Sequence, residues 1–199
     1  MTEQDAGEGM NGMDQEHGTQ ESGQGRGRDS GQDHEPDHEP DRTSAVRTVP
    51  APVARVFAVL ADPAAHGAID GTGWVRRPVD RAPLTEPGQV FRMGMYHSGH
   101  PDGTYVTANR VHVLEPPHAI GWFTGTERDD GGLDFGGWFW RYDLAPLGPD
   151  RTRVTLTYDW SAVPDSVREY LTFPPFPPGH LTDSLSHLAA LVAREGPES

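Results

Sequence analysis

The chain has 199 residues, no cysteine and a formal net charge of −14, with thirty Asp and Glu against sixteen basic residues. The lack of cysteine excludes a thiol nucleophile, a disulfide framework and a Cys-ligated zinc site, and because all sixteen bases are arginine a Schiff-base lysine and a P-loop lysine are excluded too. The acid excess argues against nucleic acid as a partner, and no apolar run approaches the ~18 residues of a membrane span or serves as a signal sequence, so a soluble cytoplasmic protein is expected.

Two different polymers share this average. Residues 1–44 contain no Phe, Trp, Tyr, Ile, Leu or Val and carry a net charge of −9. Such a stretch cannot bury enough apolar surface to offset the entropy cost of ordering, and it is expected to be a disordered acidic tail. Its DHEPDHEP repeat reads as a solvated linker that Pro36 and Pro40 keep out of regular structure. Residues 45–199 hold all seventeen aromatics and are expected to form one domain.

Within that domain Ala45–Val49 reads as a short first strand. Val53, Val56, Phe57 and Leu60 follow at helical spacing, Pro63 ends that helix, and Ala64–Gly67 adds a turn. A strand is expected near Trp74–Val79. Alternation of period two then dominates: Phe91, Met93 and Met95; Tyr105, Thr107, Asn109, Val111 and Val113; Ile120, Trp122 and Thr124; Trp138, Trp140, Tyr142 and Leu144; Val154, Leu156, Tyr158 and Trp160. Turn-rich links such as HPDG and LGPD separate the runs, which describes an antiparallel meander with one buried face. Leu181, Leu185, Leu188 and Val192 share one face of a closing helix, with Arg194 and Gly196 suited to its end. The expected class is α+β, with that helix laid across the apolar face of the sheet.

The buried face is unusually aromatic for a solid core. Phe91, Met93, Met95, Tyr105, Trp122, Trp138, Trp140, Tyr158 and Trp160 fall on it, mixed with His97, Thr107, Asn109 and Thr124. Apolar walls with a few placed polar groups describe a small-molecule pocket, in which the rings supply wall area and His97, Tyr105 and Asn109 orient polar substituents; the alternative is a tightly packed core whose Trp and Tyr tips reach solvent or backbone. His66 with Asp70, or His97 with Tyr105, are the candidates for moving protons, although spacing alone favours Asp70 as a turn cap and His66 as a surface residue. His97, His100 and Asp102 sit in an ordinary turn, and His112, His118, His180 and His187 are expected to be solvated. Asp159 is expected to face outward, beside Arg153 or Arg141. No linear catalytic signature occurs, and neither a metal nor a cofactor is expected.

The segment VPAPVARVFAVLADPAAHGAIDGTG resembles the opening of the SRPBCC superfamily (START, polyketide cyclase, lipid-transport-like). Ala51-Pro52, Val56-Phe57, Val59-Leu60 and Asp62-Pro63 carry the match, and HGAIDGTG is similar to a stretch of one bacterial polyketide cyclase/dehydratase-like branch. FRMGM at 91–95, NRVHVLEPPHAIGW at 109–122, WRYDLAPLGPDRTRVTLTYDWS at 140–161 and the Leu-striped last helix extend it over about residues 45–194. The resemblance implies a helix-grip fold: a curved antiparallel sheet around a long C-terminal helix, two short helices after the first strand, and a hydrophobic cavity between them. It implies binding of a hydrophobic, aromatic or polyketide-like molecule, with cyclase or aromatase activity on the same cavity as the alternative. A third reading, from the tail, is a protein-interaction module. FPPFPPG at 173–179 is a local elaboration expected at the cavity mouth.

Overall fold

The computed structural model describes residues 41–194; the rest of the acidic stretch, its DHEPDHEP repeat and Gly196 lie outside the described residues. Strand β1 (Arg42–Val49) begins three residues earlier than its hydrophobicity suggests, so Arg42, Thr43 and Ser44 belong to the sheet and not to a tail. Their partners explain this: Arg42 lies opposite Asp159, Thr43 opposite Tyr158 and Ser44 opposite Thr157. Helix α1 (Val53–Leu60) starts behind Pro52, whose fixed φ suits a helix entry, and buries Val56, Phe57, Val59 and Leu60. Helix α2 (Pro63–Ile69) is capped by Asp62, whose carboxylate accepts the Ala64 N–H at 2.9 Å.

Strands β2 (Val75–Pro78), β3 (Val90–Tyr96), β4 (Thr104–Glu115), β5 (Ala119–Glu127), β6 (Leu133–Gly148) and β7 (Arg151–Asp159) follow as hairpins. The sheet has seven strands in the order β1-β7-β6-β5-β4-β3-β2, every described pairing antiparallel. The first strand therefore returns to pair with the last. A short helix α3 (Asp165–Arg168), too brief to carry a periodic apolar pattern, leads to the closing helix α4 (His180–Arg194). Arg168 fixes this connection: its guanidinium donates to both Asp41 carboxylate oxygens at 3.0 and 3.2 Å and to the Trp160 carbonyl at 2.7 Å.

The curled sheet grips α4 on its concave side, which is the helix-grip arrangement. Leu181, Leu185, Leu188 and Val192 all point into the core, where they meet Val49, Val56, Leu60, Ile120, Leu144, Val154 and Leu156. Alternation holds along most strands but breaks in β4. A register shift between Val111 and Val113 places Leu114, rather than Val113, against the core. A bulge of this kind bends the strand and increases its twist, which the curl requires. Asp159 pairs loosely with Arg42, at 3.9 Å, and not with Arg141, which instead grips Asp143 at 2.7 Å. Among the described residues, no helix is long and apolar enough to cross a membrane.

Candidate functional site

Register decides which side chains meet on the concave face. Phe91 lies opposite Asn109, Met93 opposite Thr107 and Met95 opposite Tyr105. Further along, Asn109 faces Thr124, Trp122 faces Trp140, and Trp140 faces Tyr158. Cross-strand neighbours of this kind sit close enough for their rings to touch. The rings do not close the space: a cavity of about 730 Å³ lies between the sheet, α2, α4 and the segment before α4.

Phe91, Met93, Met95, His97, Tyr105, Asn109, Trp122, Trp138, Trp140 and Tyr158 all line this cavity, as do His66 and Asp70. Trp160 does not; it is buried behind Tyr158, 5.6 Å between rings, and stacks on Phe173 at 6.4 Å. Trp160 keeps to the same side of the strand as Tyr158, but it is packed among Tyr158, Val163 and Phe173, behind the residues that line the hollow. The FPPFPPG segment does contribute: Phe173, Pro175 and Phe176 line the cavity, and Phe176 packs on Trp140, Tyr158 and His180 at 5.6, 5.0 and 4.6 Å.

The polar groups fall into two sets. Asn109 is buried with its amide engaged by the protein: it accepts from Thr124 Oγ1 at 2.7 Å and donates to the Phe91 carbonyl at 3.3 Å. His97 and Tyr105 point to different neighbours. The His97 ring meets Trp74 edge-on at 4.6 Å and takes the Gly99 N–H at 3.0 Å, whereas Tyr105 stacks on His100 at 4.8 Å.

The second set gathers at Asp70. Its carboxylate accepts from Thr72 Oγ1 at 2.9 Å and from the Val75 N–H at 3.0 Å, so it does cap the turn after α2. It is also almost wholly buried and lies 3.8 Å from His180 Nδ1. The proximity in sequence of His66 and Asp70 is therefore not their pairing in space. Nor are His66 and His180 solvated, as spacing suggested: they are 9% and 8% exposed. Tyr142, Trp74, Phe135, Phe173, Phe176 and Ser184 also belong to the lining without having been singled out as site residues. For Tyr142 the signal was present, two residues beyond Trp140 on the same face. For His180 and Ser184 it was helical spacing, since with Leu188 they repeat every four residues along the inner side of α4.

Close approach holds this corner together. Gly71 lies so near the start of α4 that a Cβ there would meet the His180 carbonyl oxygen and, at 2.9 Å, the Ser184 nitrogen. Its own N–H donates to Ser184 Oγ at 3.0 Å, and His187 Nδ1–H donates to the Asp70 carbonyl at 3.2 Å.

His66 has a different task. Its Nε2–H donates to the Leu60 carbonyl at 2.8 Å, and its ring stacks on Trp122 at 5.0 Å and meets Phe91 edge-on. A carbonyl can only accept, so the bond fixes the tautomer. Burial lowers its pKa from the ordinary 6.5; the Leu60 bond and the Asp62 charge oppose that shift but do not cancel it. The folded state then takes up its proton at lower pH than the unfolded chain. The His66 contribution is complete above about pH 6.5 and is lost as the pH falls below it, at up to about 1.4 kcal/mol per pH unit. His66→Gln keeps a donor for Leu60 but does not titrate. Thermal melts from pH 7.5 to 5 are expected to show the wild type losing stability relative to that variant; parallel profiles would refute the assignment.

Among the described residues, no group of three or more His, Asp or Glu is arranged to hold a metal ion. No family model matches the chain. Two uncharacterized proteins of Mycobacterium tuberculosis, Rv0088 and MT0096, are 33% and 32% identical to it over 121 residues, 61% of this chain. The match takes in 48% of their length, so the chain spans about half the length of the curated relatives it matches. Similar solved structures include protein Ms6760 from Mycobacterium smegmatis, with TM-score 0.56 and 17% identity, covering 77% of this chain and 91% of that one. Protein CV1439 from Chromobacterium violaceum has TM-score 0.54 and 23% identity over 80% of this chain and 100% of its own. The AHSA1 protein from Silicibacter pomeroyi has TM-score 0.52 and 22% identity, covering 77% and 99%. At these identities the likeness is one of fold: a curled antiparallel sheet around a C-terminal helix, consistent with an SRPBCC-like architecture.

Proposed function

We propose that this chain binds a hydrophobic small molecule of aromatic or polyketide-like shape in the cavity between sheet and α4, as a member of the SRPBCC superfamily. The observation that carries the reading is the hollow itself, about 730 Å³ walled by Phe91, Trp122, Trp138, Trp140, Tyr158 and Phe176. That volume lies within the usual range of ligand sites. A chain selected only for stability fills such a space, because unfilled volume costs packing energy. Flat, rigid rings favour a flat, rigid ligand, which loses little conformational entropy on binding.

Two observations count against proton-transfer chemistry by the pairs first considered. His66 spends its Nε2–H on Leu60, and His97 and Tyr105 each face other rings. Binding is therefore favoured over cyclase or aromatase activity by those residues.

The test is a titration of the protein with polycyclic aromatic probes, followed by calorimetry and thermal melting. Saturating probe is expected to raise the melting temperature by mass action, with about 2.7 kcal/mol gained at a hundredfold excess over Kd. A flat response to pyrene-sized and smaller probes alike refutes the reading.

A further inference from the structure

One polar side chain in the cavity wall has no partner to explain it. His180 opens α4, is 8% exposed and lines the cavity, yet its Nδ1 is buried without a hydrogen-bond partner among the described residues. Trp140 meets the ring edge-on at 5.6 Å, and Phe176 lies 4.6 Å away. A buried polar atom left unpaired costs more than an apolar replacement of the same shape, and a ring of this size among aromatics is easily replaced by Phe. Asp70 is the group that gives the imidazole a use. Its Oδ1 lies 3.8 Å from Nδ1, while its other contacts, Thr72 and Val75, anchor the carboxylate in place.

A carboxylate beside Nδ1 favours the tautomer that carries its proton there and leaves Nε2 with a lone pair. Nε2 is then the polar atom this side chain can offer to a molecule in the cavity, and it offers an acceptor. Burial lowers the His180 pKa, with Asp70 and Asp183 opposing, which keeps the ring neutral and able to accept. An anionic ligand group is disfavoured here by the Asp70 charge. A ligand O–H is favoured.

We infer that the Asp70–His180 pair is the polar anchor of the cavity and selects an aromatic ligand bearing a hydroxyl group, whose O–H donates to His180 Nε2 while Nδ1–H closes on Asp70. The inference rests on the cavity being a binding site and adds the chemical class of what it binds. It also explains the Gly71 contact, since any side chain there would push α4, and His180 with it, away from Asp70.

The experiment compares 1-hydroxypyrene, 1-methoxypyrene and pyrene on the full chain by calorimetry. The wild type is expected to prefer the hydroxyl compound over the methyl ether by about tenfold, the ratio one buried hydrogen bond sustains. His180→Phe, which keeps a ring in the aromatic surround, is expected to bind all three within about twofold of one another. A second readout needs no variant: the ¹⁵N resonance of His180 Nε2 is expected to shift with 1-hydroxypyrene and stay in place with 1-methoxypyrene. Equal binding of the three probes by the wild type, a preference that survives in His180→Phe, or a silent Nε2 resonance overturns the anchor and leaves the cavity reading standing. Failure of all three to bind overturns the cavity reading and the anchor with it.

Discussion

Leu188→Ala is expected to lower stability by about 3 kcal/mol and the melting temperature by about 10 °C. Leu188 is fully buried at the centre of the α4 stripe, between Leu185 and Val192 and against the sheet's own apolar residues. Truncation there removes the transfer energy of the lost carbons and leaves a void. How far the void costs depends on whether the surroundings collapse into it. On one side stands a hydrogen-bonded sheet of seven strands, which does not collapse. On the other, the first turns of α4 are held by Gly71, whose N–H donates to Ser184, and by the Asp70 carbonyl, which accepts from His187. Both restraints place the expected loss above the small end of the Leu→Ala range. Denaturant unfolding checks it: the midpoint falls while the slope with denaturant stays unchanged. A loss below about 1 kcal/mol would mean that α4 is not seated in the sheet as described.

The same residues show how much of this molecule was legible beforehand. The stripe 181, 185, 188, 192 and the alternating strands needed only periodicity, because each buries one face against a broad apolar partner. Periodicity fails where geometry is decided by a partner rather than by the strand itself. Arg42–Ser44 became strand because β7 lies beside them, and Leu114 replaced Val113 because β4 bulges. Trp160 left the wall because Val163 and Phe173, from the chain beyond β7, pack around it. The aromatic lining was largely readable, since nine of its rings and methionines lie on runs of simple alternation. The Asp70–His180 corner was not. Its members are separated by more than a hundred residues, and their meeting depends on where the curl of the sheet sets the start of α4. Single-residue chemistry gave no hint of it, and the neighbouring pair His66 and Asp70 offered a false one.

Thr107→Trp is expected to abolish binding of aromatic probes while leaving the fold intact. Thr107 sits mid-strand in β4 on the concave face, opposite Met93 and among the residues that line the cavity. An indole at that position projects into the hollow and takes up space a ligand ring would need. The strand itself tolerates the exchange, since Trp and Thr both suit a pleated surface. The polar cost is small as well. Thr107 Oγ1 accepts only a long bond from Asn109 Nδ2, at 3.4 Å, and Asn109 keeps its bonds to Phe91 and Thr124. Stability is expected to change by less than about 1 kcal/mol, whereas affinity for a pyrene-sized probe falls at least about a hundredfold, because an occupied cavity offers no alternative pose. Val106→Trp is the matched control: Val106 is the preceding residue of β4, its side chain is 49% exposed on the opposite face, and probe affinity is expected to stay at the wild-type value. Should Thr107→Trp bind as tightly as the wild type by calorimetry, the aromatic probe occupies some other surface and the hollow is not its site. Should both variants lose binding together, the loss reflects damage to β4, and hydrogen exchange along that strand will register it.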